Sequence, residues 1–246
     1  MRIAHASIDE RGHISGGAAG NQTGKEICIR KWYNKPWSIL LRHPDPTIRE
    51  KIAETATILA SSPVNSLIGY DQSNRNSLHQ VAKACGYDIV EFINLHELCE
   101  TDCSAFVTVV CLFAGVKALE YSGNAPTTSN MKTTFEKAGF RALTDQKYVG
   151  SDVYLSRGDI LVKPSGHTVI CLDNGPLFEQ EAVEYYPRYM GHSTSIVQVL
   201  NELGIDSSKT NRRKIYRVNF QDTYVYSAQQ NTAMIARLRN GTLIKP

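Results

Sequence analysis

The stretch from Glu100 to Gly115, E-T-D-C-S-A-F-V-T-V-V-C-L-F-A-G, constrains the fold most strongly. Its apolar side chains recur at the spacing of a helix face; they are Phe106, Val107, Val110, Cys111 and Ala114. Thr101 and Asp102 have side chains that can cap a helix, and glycine commonly ends one. The stretch therefore predicts a buried helix that carries Cys103 in its first turn.

A cysteine at the start of a helix can act as a nucleophile. Unpaired backbone N–H groups and the positive end of the helix dipole favour the thiolate form of Cys103 over the thiol. The alternative is that Cys103 is a small apolar residue of a core helix, which is the usual place of an unpaired cysteine. A suitable base elsewhere in the chain would favour the first interpretation.

Two stretches downstream predict strands, and the second begins with a histidine. Residues 155–162, L-S-R-G-D-I-L-V, are typical of a turn that leads into a strand, and residues 166–172, G-H-T-V-I-C-L, predict a strand beginning near His167. A cysteine on a helix followed by a histidine on a strand is the order of a papain-like thiol hydrolase. The predicted fold class is thus α+β, with the helix of Cys103 packed on an antiparallel sheet that carries His167.

These motifs resemble those of NlpC-type cell-wall cysteine peptidases and the related CHAP amidases and peptidases. The resemblance covers about residues 70–181 and rests on D-C-S at 102–104, R-G-D-I at 157–160, G-H-T-V at 166–169 and D-N-G at 173–175. It implies that Cys103 attacks an amide carbonyl while His167 acts as general base and then as general acid. It also implies that Asp102 and Ser104 shape the substrate groove.

A tyrosine upstream of the cysteine lies beside the thiol in NlpC-like enzymes, and Tyr70 resembles it. The separation is longer than usual here because of an insertion at about residues 73–100. An ordinary packed tyrosine is therefore the alternative interpretation of Tyr70.

The third catalytic position is predicted at Glu179. If residues 172–176, L-D-N-G-P, turn the chain into a hairpin, residues 177–181 run back beside the histidine strand. Glu179 lies twelve positions after His167, the spacing between the two histidines of NlpC-like enzymes, and a carboxylate there would orient the imidazole as in CHAP enzymes. Asp173 would lie at the opposite end of the strand, roughly 20 Å away.

Composition excludes several other classes of function. The formal charge of +3 comes without a long basic run, so nucleic acid is not an expected partner. Residues 14–24 are rich in glycine but lack the Lys-Ser/Thr end of a phosphate loop. A calcium loop at residues 71–77 is rejected because Arg75 occupies a ligand position and the required glycine is absent. The six cysteines show no close C-x-x-C spacing, so we expect reduced thiols, no metal and no cofactor.

The aromatic residues Trp32, Tyr33 and Trp37 are either a sugar-stacking surface or a corner packed on the core. The remaining histidines lack a catalytic context and are expected to be surface or hydrogen-bonded residues; they are His5, His13, His43, His79, His96 and His192.

Helical patterns occur on both sides of the cysteine helix. Before it and shortly after it they cover residues 46–60, 76–85 and 131–139, and a possible strand covers residues 26–33. In the tail they cover residues 195–203, 209–218 and 227–238. The predicted domains are a catalytic domain at 1–184, a linker at 185–192 and a small three-helix domain at 193–246.

The tail resembles a C-terminal cell-wall-binding motif of phage lysins of Gram-positive bacteria. The resemblance rests on G-H-S-T-S-I-V at 191–197, G-I-D-S-S at 204–208, Q-N-T at 230–232 and the closing L-I-K-P. A helical cap that only stabilises the enzyme is the alternative.

The resemblances together imply a phage or prophage endolysin that cuts an amide bond in the peptide part of peptidoglycan. We expect no signal peptide and no membrane span, with synthesis in the host cytoplasm and release through a membrane hole made by a separate phage protein. Two alternatives are a wall-binding protein without turnover and an intracellular thiol hydrolase or acyltransferase acting on another amide.

Overall fold

A six-stranded sheet holds the predicted histidine strand between two neighbours. The computed structural model describes residues 1–9, 11–20, 26–179, 183–220 and 222–246. The strands in these ranges are β1 (Arg2–Ala6), β2 (Ile27–Lys31), β3 (Ile39–Arg42), β4 (Ile68–Tyr70), β5 (Cys99–Thr101), β6 (Arg141–Leu143), β7 (Ile160–Lys163) and β8 (His167–Cys171). The large sheet has the order β2-β1-β8-β7-β3-β6 and its pairings are antiparallel, whereas β4 and β5 form a separate parallel pair.

Helices surround the sheet and fill the tail. The α-helices of the described ranges are α1 (Pro46–Leu59), α2 (Ser77–Ala84), α3 (Ile89–Leu95), α4 (Cys103–Phe113), α5 (Met131–Lys137), α6 (Gln146–Val149), α7 (Ile196–Glu202), α8 (Lys209–Phe220) and α9 (Ala228–Asn240). Each helix predicted from periodicity is present, with ends within about two residues. The fold is therefore mixed α+β with an antiparallel sheet, as predicted.

The cysteine helix α4 lies at the centre of the main core. All of its residues except Phe113 are buried, and it packs against β8, β1 and α1. The side chain of Asp102 caps the helix by accepting a hydrogen bond from the backbone N–H of Ala105 at 2.7 Å. Gly115 follows the helix with a φ of 94°, a conformation that glycine adopts without steric cost. A helix buried on every side holds its first residue in a fixed position against the sheet.

The predicted hairpin after the histidine strand is wrong. Both edges of β8 are occupied, by β7 on one side and by β1 on the other, with Ile3 opposite Cys171. Residues 177–179 belong to no strand, and the rest of the predicted return strand lies outside the described residues. The neighbour of the histidine strand therefore comes from the beginning of the chain.

The insertion before the cysteine helix folds away from the sheet. It contains α2 and α3 and returns through β5, whose residue Thr101 pairs with Tyr70 of β4. The parallel pairing brings Tyr70 to the start of α4 despite the long separation in sequence.

The tail has a hydrophobic cluster of its own, built from α7, α8, α9 and neighbouring segments. The segment predicted as a linker takes part in it, because Tyr189 is buried there and Tyr185 forms a bridge with Ile244 near the end of the chain. Within the described residues, no helix has the length and apolarity needed to cross a membrane. The division into domains at 184 and 193 remains a prediction.

A buried ion pair ties two strands of the sheet together and generates a stability prediction. Asp159 accepts hydrogen bonds from Nε and Nη2 of Arg42 at 2.9 and 2.6 Å, and both side chains are buried. We expect Asp159→Asn to lower the free energy of unfolding by about 3 kcal/mol, because it removes the negative charge from a buried, doubly hydrogen-bonded ion pair. Urea unfolding followed by tryptophan fluorescence measures the loss.

The matched control is Glu50→Gln, which removes an ion pair between Glu50 and Arg157 at 2.7 Å on the surface. Exposed pairs contribute less than about 1 kcal/mol, so this variant should unfold close to the wild type. Equal losses in the two variants would contradict the assignment of Asp159 as a buried structural anchor.

Candidate functional site

The sulfur of Cys103 lies where the start of α4 meets the start of β8. Cys103 is 6% exposed. The backbone N–H groups of Ser104, on its own helix, and of Thr168, the residue after His167, lie close enough to the sulfur to lower the pKa of the thiol. The structure therefore brings together the cysteine and the histidine strand that the sequence predicted as partners.

His167 is bonded to a second histidine rather than to a carboxylate. Nε2 of His167 lies 3.1 Å from Nδ1 of His5 on β1, and the two rings meet edge to face with centroids 5.3 Å apart. The register explains the contact: because Ile3 pairs with Cys171, alternation places His5 and His167 on the same face of the sheet. His5 was expected to be a surface or hydrogen-bonded histidine without a role; it is buried and occupies the position predicted for the third residue.

Glu179 does not lie on a strand beside His167. It is exposed and belongs to no strand. The carboxylate of Glu179 would face the imidazole only if the chain formed a hairpin after β8. The order of the sheet excludes that hairpin. The role predicted for Glu179 thereby loses its geometric basis.

Burial controls the charge of all three groups. It raises the pKa of the Cys103 thiol to about 12, with a further contribution from the carboxylate of Asp102, against the two N–H groups and Arg75, which lower it. It lowers the pKa of His167 to about 3 and that of His5 to about 4, and the charges of Arg30 and Lys35 add to both effects. The thiolate expected from the helix start is therefore not the resting form, because desolvation outweighs the dipole.

Tyr70 contacts the first residue of α4. Its hydroxyl accepts a hydrogen bond from Nε2 of Gln72 at 3.2 Å, and the backbone N–H of Cys103 lies close enough to lower the pKa of this hydroxyl. Burial raises the pKa of the Tyr70 hydroxyl, so the group stays protonated and retains an O–H that can donate. The structure thus places Tyr70 beside Cys103, and the role that the resemblance implied for it stays a prediction.

Asp102 and Ser104 are buried and bonded to Arg75. Nε of Arg75 donates to Asp102 at 2.6 Å, and its Nη2 donates to the hydroxyl of Ser104 at 2.8 Å. The same guanidinium donates to the backbone carbonyls of Ala125 and Pro126. Asp102 and Ser104 therefore hold the start of α4 in place, and the sequence did not single out Arg75 as their partner.

Two aromatic residues, Trp37 and Tyr33, pack against the histidine pair. The indole of Trp37 lies over the ring of His167 with centroids 6.3 Å apart, and Tyr33 contacts both Trp37 and His5. Trp37 is buried, whereas Tyr33 is half-buried. Of the two interpretations of this aromatic cluster, packing on the core describes Trp37, and Tyr33 forms part of the edge of the site.

The six cysteines are all free thiols, and no group of three or more potential metal ligands occurs among the described residues. Tyr70 and the backbone amides of Ser104 and Thr168 lie beside the thiol, and Thr168 follows His167, which is bonded to His5.

A family model described as an endolysin-like domain matches residues 3–177. The match covers more than half of the chain, which therefore belongs to the family of endolysin-like domains. This membership indicates a phage protein that hydrolyses peptidoglycan of the cell wall. No curated protein and no solved structure matches the sequence.

The pKa of the thiol predicts how its reactivity depends on pH. We expect alkylation of Cys103 by iodoacetamide to be slow at pH 7 and to rise about tenfold per pH unit to at least pH 10, because the thiolate fraction grows until the pKa is reached. Mass spectrometry of the peptide that contains Cys103 measures the rate, with N-acetylcysteine as the control. A rate already constant below pH 7 would indicate a preformed thiolate–imidazolium pair and contradict this prediction.

Proposed function

We propose that the protein is a cysteine-dependent amidase or endopeptidase with a papain-like core that cuts the peptide part of peptidoglycan. The observation that carries the proposal is the position of the Cys103 sulfur at the N–H of Thr168, next to a histidine whose Nε2 is bonded to His5. A nucleophile, a base and a group that orients the base are the parts of such a site.

In the proposed reaction both partners start neutral. His167 takes the proton from the thiol as the sulfur attacks the amide carbonyl, so a bond forms between sulfur and carbon while the imidazolium forms. The proton then passes to the leaving amine as the carbon–nitrogen bond breaks. Water, deprotonated by His167, hydrolyses the thioester and restores the thiol.

His5 orients His167 in this scheme. The ring nitrogen of His167 that faces the thiol must be unprotonated, so Nε2–H donates to Nδ1 of His5. Nε2 of His5 is buried and has no hydrogen-bond partner among the described residues. It would lack an acceptor in one tautomer of the pair and a donor in the other, so its surroundings favour neither tautomer. Donation to His5 also stabilises the imidazolium that forms during the attack.

Tyr70 is the proposed donor to the oxyanion. Its hydroxyl lies at the N–H of Cys103, where the carbonyl oxygen of a substrate attacked by the sulfur would accumulate charge. The backbone N–H of Cys103 lies beside this hydroxyl, and the phenol would donate its own O–H toward the substrate.

The tail is proposed to bind the cell wall. Residues 183–246 carry nine Lys and Arg against four Asp and Glu, a net charge of +5 in a chain whose total is +3. A surface cleft of about 260 Å³ lies beside α9, lined by Thr194, Thr232, Ile235, Ala236, Arg239 and Asn240. A basic tail suits an anionic polymer, and the cleft offers both apolar and polar side chains to a sugar or peptide of the wall. Release through a membrane hole would bring the tail to the wall.

The experiment that tests the proposal compares Cys103→Ser with the wild type in turbidity loss of purified Gram-positive cell walls. We expect the variant to lose at least about a thousandfold in rate, because an alcohol at this site is a much weaker nucleophile. Mass analysis of the fragments from the wild type identifies the bond that is cut.

The matched control is Cys85→Ser, a half-buried thiol away from the site, which should clear walls like the wild type. If neither wild type nor variant cleared walls while both sedimented with them, a wall-binding protein without turnover would be the better description. Hydrolysis of other amides without wall binding would favour the intracellular hydrolase.

A second comparison distinguishes the two candidates for the third residue. We expect His5→Ala to lower kcat about 10- to 100-fold, because His167 loses the acceptor that fixes its tautomer, and His5→Asn to recover part of the loss. Glu179→Gln should leave kcat unchanged. Loss of activity in Glu179→Gln with full activity in His5→Ala would restore the original prediction.

A further inference from the structure

The strand register places a cation on the same face of the sheet as the histidine pair. In the pairing of β1 with β2, His5 lies opposite Cys28 and Ile3 lies opposite Arg30. Side chains alternate along a strand, so Arg30 shares the face of His5, whereas Lys31 points to the opposite face. Arg30 itself is exposed.

Aromatic rings connect Arg30 to the catalytic pair. Its guanidinium carbon lies 4.7 Å from the centroid of the Tyr33 ring. The Tyr33 ring in turn lies 6.4 Å from the ring of His5 and 5.9 Å from that of Trp37, which covers His167. A guanidinium held over an aromatic face keeps its N–H groups free at the edge and is pre-organised for a planar anion.

Lys35 adds a second positive charge to this edge. It lies in the turn between Tyr33 and Trp37, and its backbone carbonyl accepts a hydrogen bond from the N–H of Trp37. Neither Arg30 nor Lys35 forms an ion pair within the described part of the chain. Both are near enough for their charges to lower the pKa of His5 and His167.

Arg30 and Lys35 lie at the edge of the proposed site and have no carboxylate partner among the described residues, so an anion of the substrate is a suitable partner for them. We propose that Arg30 and Lys35 bind a free carboxylate of the substrate close to the amide that Cys103 attacks, so that the preferred substrate is an acidic peptide. A carboxylate can bond the guanidinium in a bidentate manner while Lys35 contributes a point charge. This inference rests on the proposed function and names the substrate class of the same site.

The test uses soluble wall fragments, released by a glycosidase, in two forms. One form has its carboxylates converted to carboxamides with a carbodiimide and ammonia, and the other is treated without the carbodiimide. We expect the wild type to lose about tenfold in kcat/KM on the amidated fragments, the size of a lost hydrogen bond to a charged group. Arg30→Gln and Lys35→Gln should each lose several-fold on untreated fragments, and the double variant should no longer discriminate between the two forms.

Lys31→Gln is the matched control, since it removes an exposed cation from the neighbouring position on the opposite face. It should discriminate like the wild type. Equal rates of the wild type on the two forms would overturn the inference while leaving the proposed hydrolysis intact. If the double variant still preferred untreated over amidated fragments, the inference would also be overturned. The preference would then be assigned to the basic tail. Absence of hydrolysis of both forms by the wild type would instead overturn the proposed function.

Discussion

The rest of the site depends on one carboxylate, that of Asp102. It caps α4 through the N–H of Ala105, accepts the hydroxyl of Ser104 and pairs with Arg75. Because Arg75 also bonds two carbonyls of the segment after α4, a single charge fixes the helix start and the loop beside it. The position of the Cys103 sulfur follows from that anchor, since a residue in the first turn moves with its cap.

The carboxylate of Asp102 also disfavours the thiolate form of Cys103, and burial of the site disfavours it further. A negative charge next to the thiol and nearly complete burial both oppose the thiolate, and they outweigh the N–H groups that point at the sulfur. A buried site instead keeps a neutral thiol and two neutral imidazoles. In the proposed reaction, proton transfer and attack are then coupled in one step, and the site holds no reactive anion before substrate binds.

The sequence predicted the parts of the fold that local patterns determine. The periodicity around Cys103, the strand of His167 and the helices of the tail were all recognisable because each is a property of a short segment. The strand order was not, since the pairing of β1 with β8 joins residues more than 160 positions apart. The spacing downstream of His167 predicted Glu179, whereas the side chain that the structure places at the ring of His167 is His5, on the first strand. A histidine within the short, largely apolar segment Arg2–Ala6 was the available signal.

Because β1 lies between β2 and β8, the strands of the sheet can pair only in a certain order during synthesis. While the chain is being synthesised, β1 can pair only with β2, which follows it closely, and its other edge stays open until β8 has been made. His5 is made 162 residues before its partner His167. The histidine pair therefore forms late in synthesis, and incomplete chains that end before β8 contain Cys103 without His167.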